Sequence, residues 1–262
     1  MGTILFAPKP QHRADANRML AVAQAGRRDF VPEFFGYSDD NIHTITRQNF
    51  YYYMLKPVYT AREADITRIH VHPLPEDELR GRVESELALY KTVQPRAVVT
   101  GLSISAALSS RIARIPRVGL LPFDFTRPFF ETGLGIWPDQ ARSPLINMLP
   151  DRLLDWIYNK WMIQTGMLTP QANRIAAQYG LPPFKTMLHI FEARTMLIVD
   201  MPESVDFKLP QHWHSIGPVL NHEGDTDLPD ALRTLASAEP IIYLRDESWP
   251  SSAARFLAEK FG

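Results

Sequence analysis

The chain has 262 residues, between one and two domains at the usual size of about 150 residues each, and sets 28 Lys and Arg against 29 Asp and Glu for a formal charge of −1. That balance, with a pI near 6.7, excludes the electrostatic footprint of a nucleic-acid binder or of a protein held on an anionic membrane. The absence of cysteine excludes disulfides and thiolate metal sites, and no apolar run approaches the ~20 residues of a membrane span.

Met1-Gly2-Thr3 leads at once into Ile4-Leu5-Phe6 without a basic leader, so a cytoplasmic protein is expected. Phe6 stands where a myristoylation signal carries Ser or Thr. Thr3 to Ala7 is a short apolar run, as in a buried parallel strand, and Pro8 and Pro10 stop it. Met19, Leu20, Val22 and Ala23 give residues 17–24 an apolar stripe near helical period, with Gly26 as its stop. A second strand is expected over 30–37, where Pro32 assigns it to an edge or to the strand's own start, and a third over 49–54.

After Pro73-Leu74-Pro75, the residues Leu79, Val83, Leu87 and Tyr90 share one helix face. Glu76 and Asp77 sit at that helix's positive end and Lys91 at its negative end. Strands at 97–99 and 118–121 flank a small-residue helix over 103–113, the succession of a βαβ unit. Residues 123–139 show no clean period. Residues 145–164 read as helix interrupted at Pro150. Thr169-Pro170 opens a helix with a cap and an N1 proline, and Gly180 ends it. Further strands are expected at 196–199, 214–217 and 241–244, with a last helix over 251–261. Alternating strands and helices make this an α/β protein with a largely parallel sheet. Ligands of such sheets bind beyond the carboxyl ends of the strands, so the loops after Phe6, Val99 and Leu121 are the places to look.

His12 follows the first strand. An imidazole there reaches a ligand at the sheet mouth and has the pKa of a general base near neutrality; the bland reading is a surface residue of a loop. Thr100, Ser103 and Ser105 open the helix after the fourth strand, where capping is their commoner role. The segment matches neither nucleotide-binding glycine pattern. Phe123-Asp124-Phe125-Thr126-Arg127-Pro128-Phe129-Phe130 sets four aromatic rings around one acid and one base. Two readings stand side by side: a wall of an apolar pocket, or a loop folded onto the core with Asp124 and Arg127 paired. His70-Val71-His72 and His212-Trp213-His214 have zinc-pair spacing without an evident third ligand, so no metal site is expected.

Several stretches together resemble the family 1 UDP-glycosyltransferases of the macrolide and flavonoid type, which have the GT-B fold. Ile4-Leu5-Phe6 followed by Gln11-His12 is similar to that family's first strand and Gly-His opening. Pro95 to Pro116 resembles its strand, acceptor loop and small-residue helix. Asn173-Arg174 through Gly180-Leu181-Pro182-Pro183 resembles another of its segments. Leu197-Ile198-Val199 and Ile216-Gly217-Pro218-Val219 resemble the close of its N-terminal domain, and Glu239-Pro240-Ile241-Ile242-Tyr243 the first strand of the C-terminal one.

The resemblance implies a Rossmann-like, mostly parallel sheet flanked by helices over residues 1–220. It also implies a linker at 221–238 and the truncated start of a nucleotide-sugar domain at 239–262. It implies a hexose moved with inversion from a nucleotide-diphosphate sugar to a hydroxyl of a small apolar acceptor. His12 would be the base, and Gln11, Thr100, Gly101, Ser103, Phe123, Phe125 and Arg127 would surround the acceptor. Three departures accompany it. The family's histidine is usually oriented by an aspartate after the fourth strand, where this chain has Gly101; Asp124, one strand along, is the substitute expected. Gln11 replaces the usual glycine. The donor domain's diphosphate-binding signature is missing, so no cofactor is expected on this chain alone. A separate donor-domain chain or self-association is the expected partnership. Competing readings are a non-catalytic glycosyltransferase-like binding module or accessory subunit, and a fragment of a GT-B sugar epimerase.

Overall fold

The computed structural model describes residues 1–9, 13–37, 41–56, 74–138, 141, 143, 146–199 and 209–217. They belong to two units, Met1–Trp137 with Leu149–Asn221 and Pro138–Met148 with His222–Gly262. The described part of the second unit includes a 3-10 turn at Ile146–Met148, where the Ile146 N–H reaches Ser143 Oγ at 3.4 Å. The expected linker at 221–238, the strand and helix beyond it, and the His70–His72 pair lie outside the described residues.

In the first unit, the described strands form one parallel sheet. They are β1 Thr3–Ala7, β2 Val31–Gly36, β3 Tyr51–Met54, β4 Ala97–Thr100, β5 Arg117–Pro122, β6 Thr195–Val199 and β7 Trp213–Gly217. Their order is β3-β2-β1-β4-β5-β6-β7, and every pairing is parallel. This is the α/β, Rossmann-like sheet expected from the alternation of elements. β1 is apolar throughout its centre because both its faces are covered: Leu5 and Phe6, which point to opposite faces, are both fully buried. Pro32 is tolerated inside the sheet because β3 pairs with β2 only from Glu33 onward. Its missing N–H therefore costs no ladder bond there.

Helix α1, Arg13–Ala25, follows β1 and covers one face. Its Met19, Leu20 and Ala23 pack with Phe6, Phe34, Val99 and Leu120. It begins at Arg13 rather than at 17, because its first turn is largely polar and carries no apolar stripe. The other face is covered by α3 Glu76–Val93, α4 Ile104–Ile112 and α7 Thr169–Gln178. Leu79, Val83, Ala107, Leu108, Ile175 and Ala176 join the strands there.

Local signals set the ends of these helices. Three acids occupy the first turn of α3, where the helix dipole favours them. Gln94 closes it in the left-handed region (φ 51°), its N–H bonded to Tyr90 O at 2.9 Å. Ser103 caps α4 by accepting the Ala106 N–H at 3.3 Å. Gly180 follows α7 with φ 67°, a conformation that costs glycine little. Thr169 sits in the first turn of α7, with Leu168 rather than Thr169 at the cap position. Three short helices were not expected: α2 Ile42–Arg47, α5 Arg127–Glu131 and α8 Met187–Phe191. Between the last two, α6 Asp151–Gln164 starts directly after Pro150. No described helix is long and apolar enough to cross a membrane.

Candidate functional site

The chain builds β1, moves outward through β2 and β3, then returns to place β4 on β1's other side. The direction of winding thus reverses between β1 and β4, and that reversal opens a crevice at the carboxyl ends of the strands. The three loops singled out from sequence, after β1, β4 and β5, belong to neighbouring strands at this edge.

Polar side chains are buried at the crevice. Lys9, just past β1, is 2% exposed, Asp15 in the first turn of α1 4%, Asn41 1%, and Thr100 at the end of β4 0%. Asp15 Oδ2 accepts the Lys9 N–H at 2.8 Å. Asn41 Nδ2 donates to Lys9 O at 3.3 Å. Among the described residues, Asn41 Oδ1 and Thr100 Oγ1 have no hydrogen-bond partner, which is unusual for buried polar atoms. Burial pushes the Asp15 carboxyl up to about 6, opposed by the Lys9 N–H and by the charges of Arg18 and Lys9.

Gly101 adjoins this cluster for a steric reason. A Cβ built on it would collide with the Asp15 carboxylate, 2.6 Å from Oδ2. Residue 101 lacks a side chain where the carboxylate of α1 already occupies the space. Sequence reasoning assigned Asp15 no role. An acid three residues after the candidate base was the signal available.

The other expected residues fall as follows. Gln11 and His12 lie outside the described residues. Ser103 serves as the α4 cap. Phe123 is buried in the core and Phe125 packs half-buried against it, while Asp124 between them is exposed. Arg127 Nε pairs with Glu131 Oε1 at 2.7 Å on the surface. Edge-to-face ring contacts run from Phe123 to Phe129 (5.6 Å), Phe130 (5.1 Å) and Tyr158 (6.0 Å). The aromatic segment is therefore folded onto the core at Phe123 and faces an open pocket of about 640 Å³ at Phe130 and Arg127. That pocket is walled by α5 and α6 residues, including Asp155, Trp156 and Lys160, and among the described residues by none from the β1 or β4 loops. Asp124 also raises the Tyr158 hydroxyl, after burial, which is the larger cause. His212 and His214 are exposed. No group of three or more metal-ligating side chains occurs among the described residues.

A second buried carboxylate was also missed. Glu86 of α3 accepts Tyr37 OH (2.8 Å) and Ser105 Oγ (2.7 Å) on Oε1 and Ser109 Oγ (2.5 Å) on Oε2. Burial pushes it up to about 7 against the pull of those hydroxyls and of Arg82. Arg82 lies one turn away, bonded to Glu78 at 2.8 Å, its guanidinium 4.8 Å from the Tyr37 ring centre. Two charged residues on the buried stripe of a helix were the sequence signal for this network.

No family model and no curated protein matches the sequence. Solved structures do match. A spinosyn forosaminyltransferase superposes with a TM-score of 0.55 at 15% identity, over 88% of this chain and 54% of its own. A calicheamicin glycosyltransferase superposes with a TM-score of 0.51 at 14% identity, over 83% and 52%. The fold is shared with about half of each of these glycosyltransferases. The chain spans about half the length of the glycosyltransferases it matches. At such identities it is the fold that is shared, and the resemblance first drawn from short sequence segments is borne out at that level.

Proposed function

We propose that this chain is the acceptor-binding half of an inverting glycosyltransferase that uses a nucleotide-diphosphate hexose, works in the cytoplasm and needs a donor domain for turnover. The observation that carries the reading is a buried polar cluster at the β1/β4 crevice of a sheet whose fold is shared with glycosyltransferases.

In this reading an apolar acceptor lies along the carboxyl edge, against Thr100, Gly101 and the loop of Phe123 and Phe125, with Gln11, Ser103 and Arg127 around it. His12 takes the proton from the acceptor hydroxyl. The oxygen attacks the anomeric carbon from the face opposite the diphosphate. As the new C–O bond forms, the bond to the diphosphate oxygen breaks, and the nucleotide diphosphate leaves with the electron pair. A donor domain, continuous or supplied as a second chain, holds the diphosphate. The competing reading is a module that binds the same acceptor and does no chemistry.

The test combines the chain with a donor domain, fused or separate, and assays nucleotide-diphosphate hexoses against small phenols. Transfer is expected only in the combined protein. His12→Ala is expected to lower it by about 100-fold or more, the usual yield of a general base, with acceptor binding retained. Acceptor binding without transfer in any combination supports the binding module instead.

A further inference from the structure

We propose that the pocket between α5 and α6 is a second ligand site, one that takes a flat-ringed organic anion with its ring on Trp156 and its charge on Arg152 and Lys160. The inference goes beyond the glycosyl-transfer reading and does not rest on it.

Helix α6 supplies the pattern. Arg152, Trp156 and Lys160 are four residues apart on Asp151–Gln164, so they follow one another along one face at about 6 Å per step. All three line the same pocket of about 640 Å³, a size within the range of small-molecule sites. Trp156 is 59% exposed. Among the described residues it packs on no ring and lies under no cation, whereas Trp137 and Trp161 both pack on Tyr158. An indole left open in a concavity forgoes apolar burial and offers its face to a second ring.

Charge selects the ligand. The pocket sets three cations, Arg127, Arg152 and Lys160, against two acids, Glu131 and Asp155. Both acids are engaged from within the fold. Glu131 Oε1 accepts Arg127 Nε–H at 2.7 Å, and Asp155 Oδ1 accepts the Trp137 N–H at 2.7 Å. Arg152 and Lys160 have no ion pair or hydrogen bond among the described residues. The uncommitted charge of the pocket is therefore positive. An acid group complements both cations, Arg152 through its planar fork and Lys160 as a point charge. A cationic ligand would find the acids already partnered and would face two unpaired cations.

The walls are preset. Asn159 is 5% exposed. Its Oδ1 accepts the Gly135 N–H at 3.0 Å, and its Nδ2 donates to Gly135 O and Asp155 O, both at 2.7 Å. That side chain ties the stretch before Trp137 to α6. Buried Phe130 fastens α5 to α6 through Tyr158, with ring centres 6.0 Å apart. A ligand that enters preset walls avoids much of the ordering cost of binding.

The experiment titrates 2-naphthoate, neutral 2-naphthol and acetate into the ¹⁵N-labelled chain and follows backbone amides. 2-Naphthoate is expected to shift Glu131, Trp156, Asn159 and Lys160 together, with one dissociation constant. It should bind there about tenfold tighter than 2-naphthol, and acetate, which has no ring, should bind about tenfold more weakly than 2-naphthoate. Added salt should remove most of the advantage over 2-naphthol, because charges this exposed are screened. Arg152→Gln and Lys160→Gln are each expected to weaken 2-naphthoate about threefold, and Trp156→Ala about tenfold. Lys91→Gln, an exposed cation at the end of α3, is the control and should change nothing. The comparison of 2-naphthoate with 2-naphthol is read on the unsubstituted chain, so it stands even if a variant fails to fold. Equal affinity of the two, 2-naphthoate shifts confined to the crevice amides, or unchanged binding in both cation variants overturns the inference. The readout needs no sugar. A chain that transfers sugar and ignores 2-naphthoate loses this site alone, and one that binds 2-naphthoate here without ever transferring sugar keeps it.

Discussion

Burying a carboxylate costs free energy that only hydrogen bonds or nearby charge recover, so Asp15 and Glu86 each need an explanation. Glu86 has one within the fold: three hydroxyls donate to it between α3 and α4. Its folded pKa of about 7 exceeds the ordinary 4.5, so the folded chain keeps a proton that the unfolded chain releases. That contribution to stability is complete below pH 4.5 and is lost as the pH rises through 7. Glu86→Gln keeps an acceptor and removes the ionisation. The melting temperature of the unsubstituted chain should therefore fall between pH 5 and pH 8 by more than that of the variant, and the gap should correspond to at most about 3 kcal/mol. Parallel curves would refute the assignment. Glu86→Ala strands the hydroxyls instead and should cost about 1–3 kcal/mol even at low pH. The sequence carried a signal for each carboxylate, a nearby acid and a charged pair on an apolar stripe, without showing that either is buried. Burial of a charged residue is decided by what surrounds it in space, and Tyr37, Ser105 and Ser109 are distant from Glu86 in the chain.

At the level of elements, the sequence was legible where a pattern had room to repeat. The run from Leu79 to Tyr90 marked α3, and the apolar runs at 3–7, 97–99 and 118–121 marked central strands. Helices α2, α5 and α8 escaped because each has six residues or fewer, less than two turns, and no period can show itself in that length. α5 also follows a turn whose aromatic residues serve the core in either conformation. Small residues on α4 carry a further consequence. Ala106 and Ala107 are almost fully buried, and Ser109 and Ser110 fully so, so this helix lies close to its neighbours on a surface with no spare volume. Ala107→Leu adds carbon atoms there and should destabilise the fold by about 1–3 kcal/mol, the usual cost of overpacking. Leu87→Ala, on the half-buried margin of α3, provides a comparison in chemical denaturation. If the enlarged alanine proves neutral, the packing of α4 is looser than its burial implies.

For the molecule as a whole, strand order is what the sequence withheld. Hydrophobic runs show that strands exist, while their lateral arrangement depends on which crossovers the helices make. Nothing between residues 7 and 97 states that β4 returns to β1. Once that order is known, the loops after β1, β4 and β5 become neighbours, and the reversal at β1/β4 marks one edge of the sheet as the ligand edge. The opposite edge carries Gly2, Val31 and Pro116. A binding footprint tells the two apart. When a hydroxyl-bearing apolar probe such as 2-naphthol is titrated into the labelled chain, backbone amides of Ala7, Lys9, Gly101, Leu102 and Phe123 should shift together and saturate with one dissociation constant. Those of Gly2, Val31 and Val118 should stay in place. The pocket of α5 and α6 adds a discriminating set in Glu131, Trp156 and Lys160. Shifts confined to that set would move the acceptor away from the crevice and onto the helices. Shifts in both sets with one shared constant would instead make the pocket an extension of the same site, reached through the ring contacts from Phe123 to Phe130.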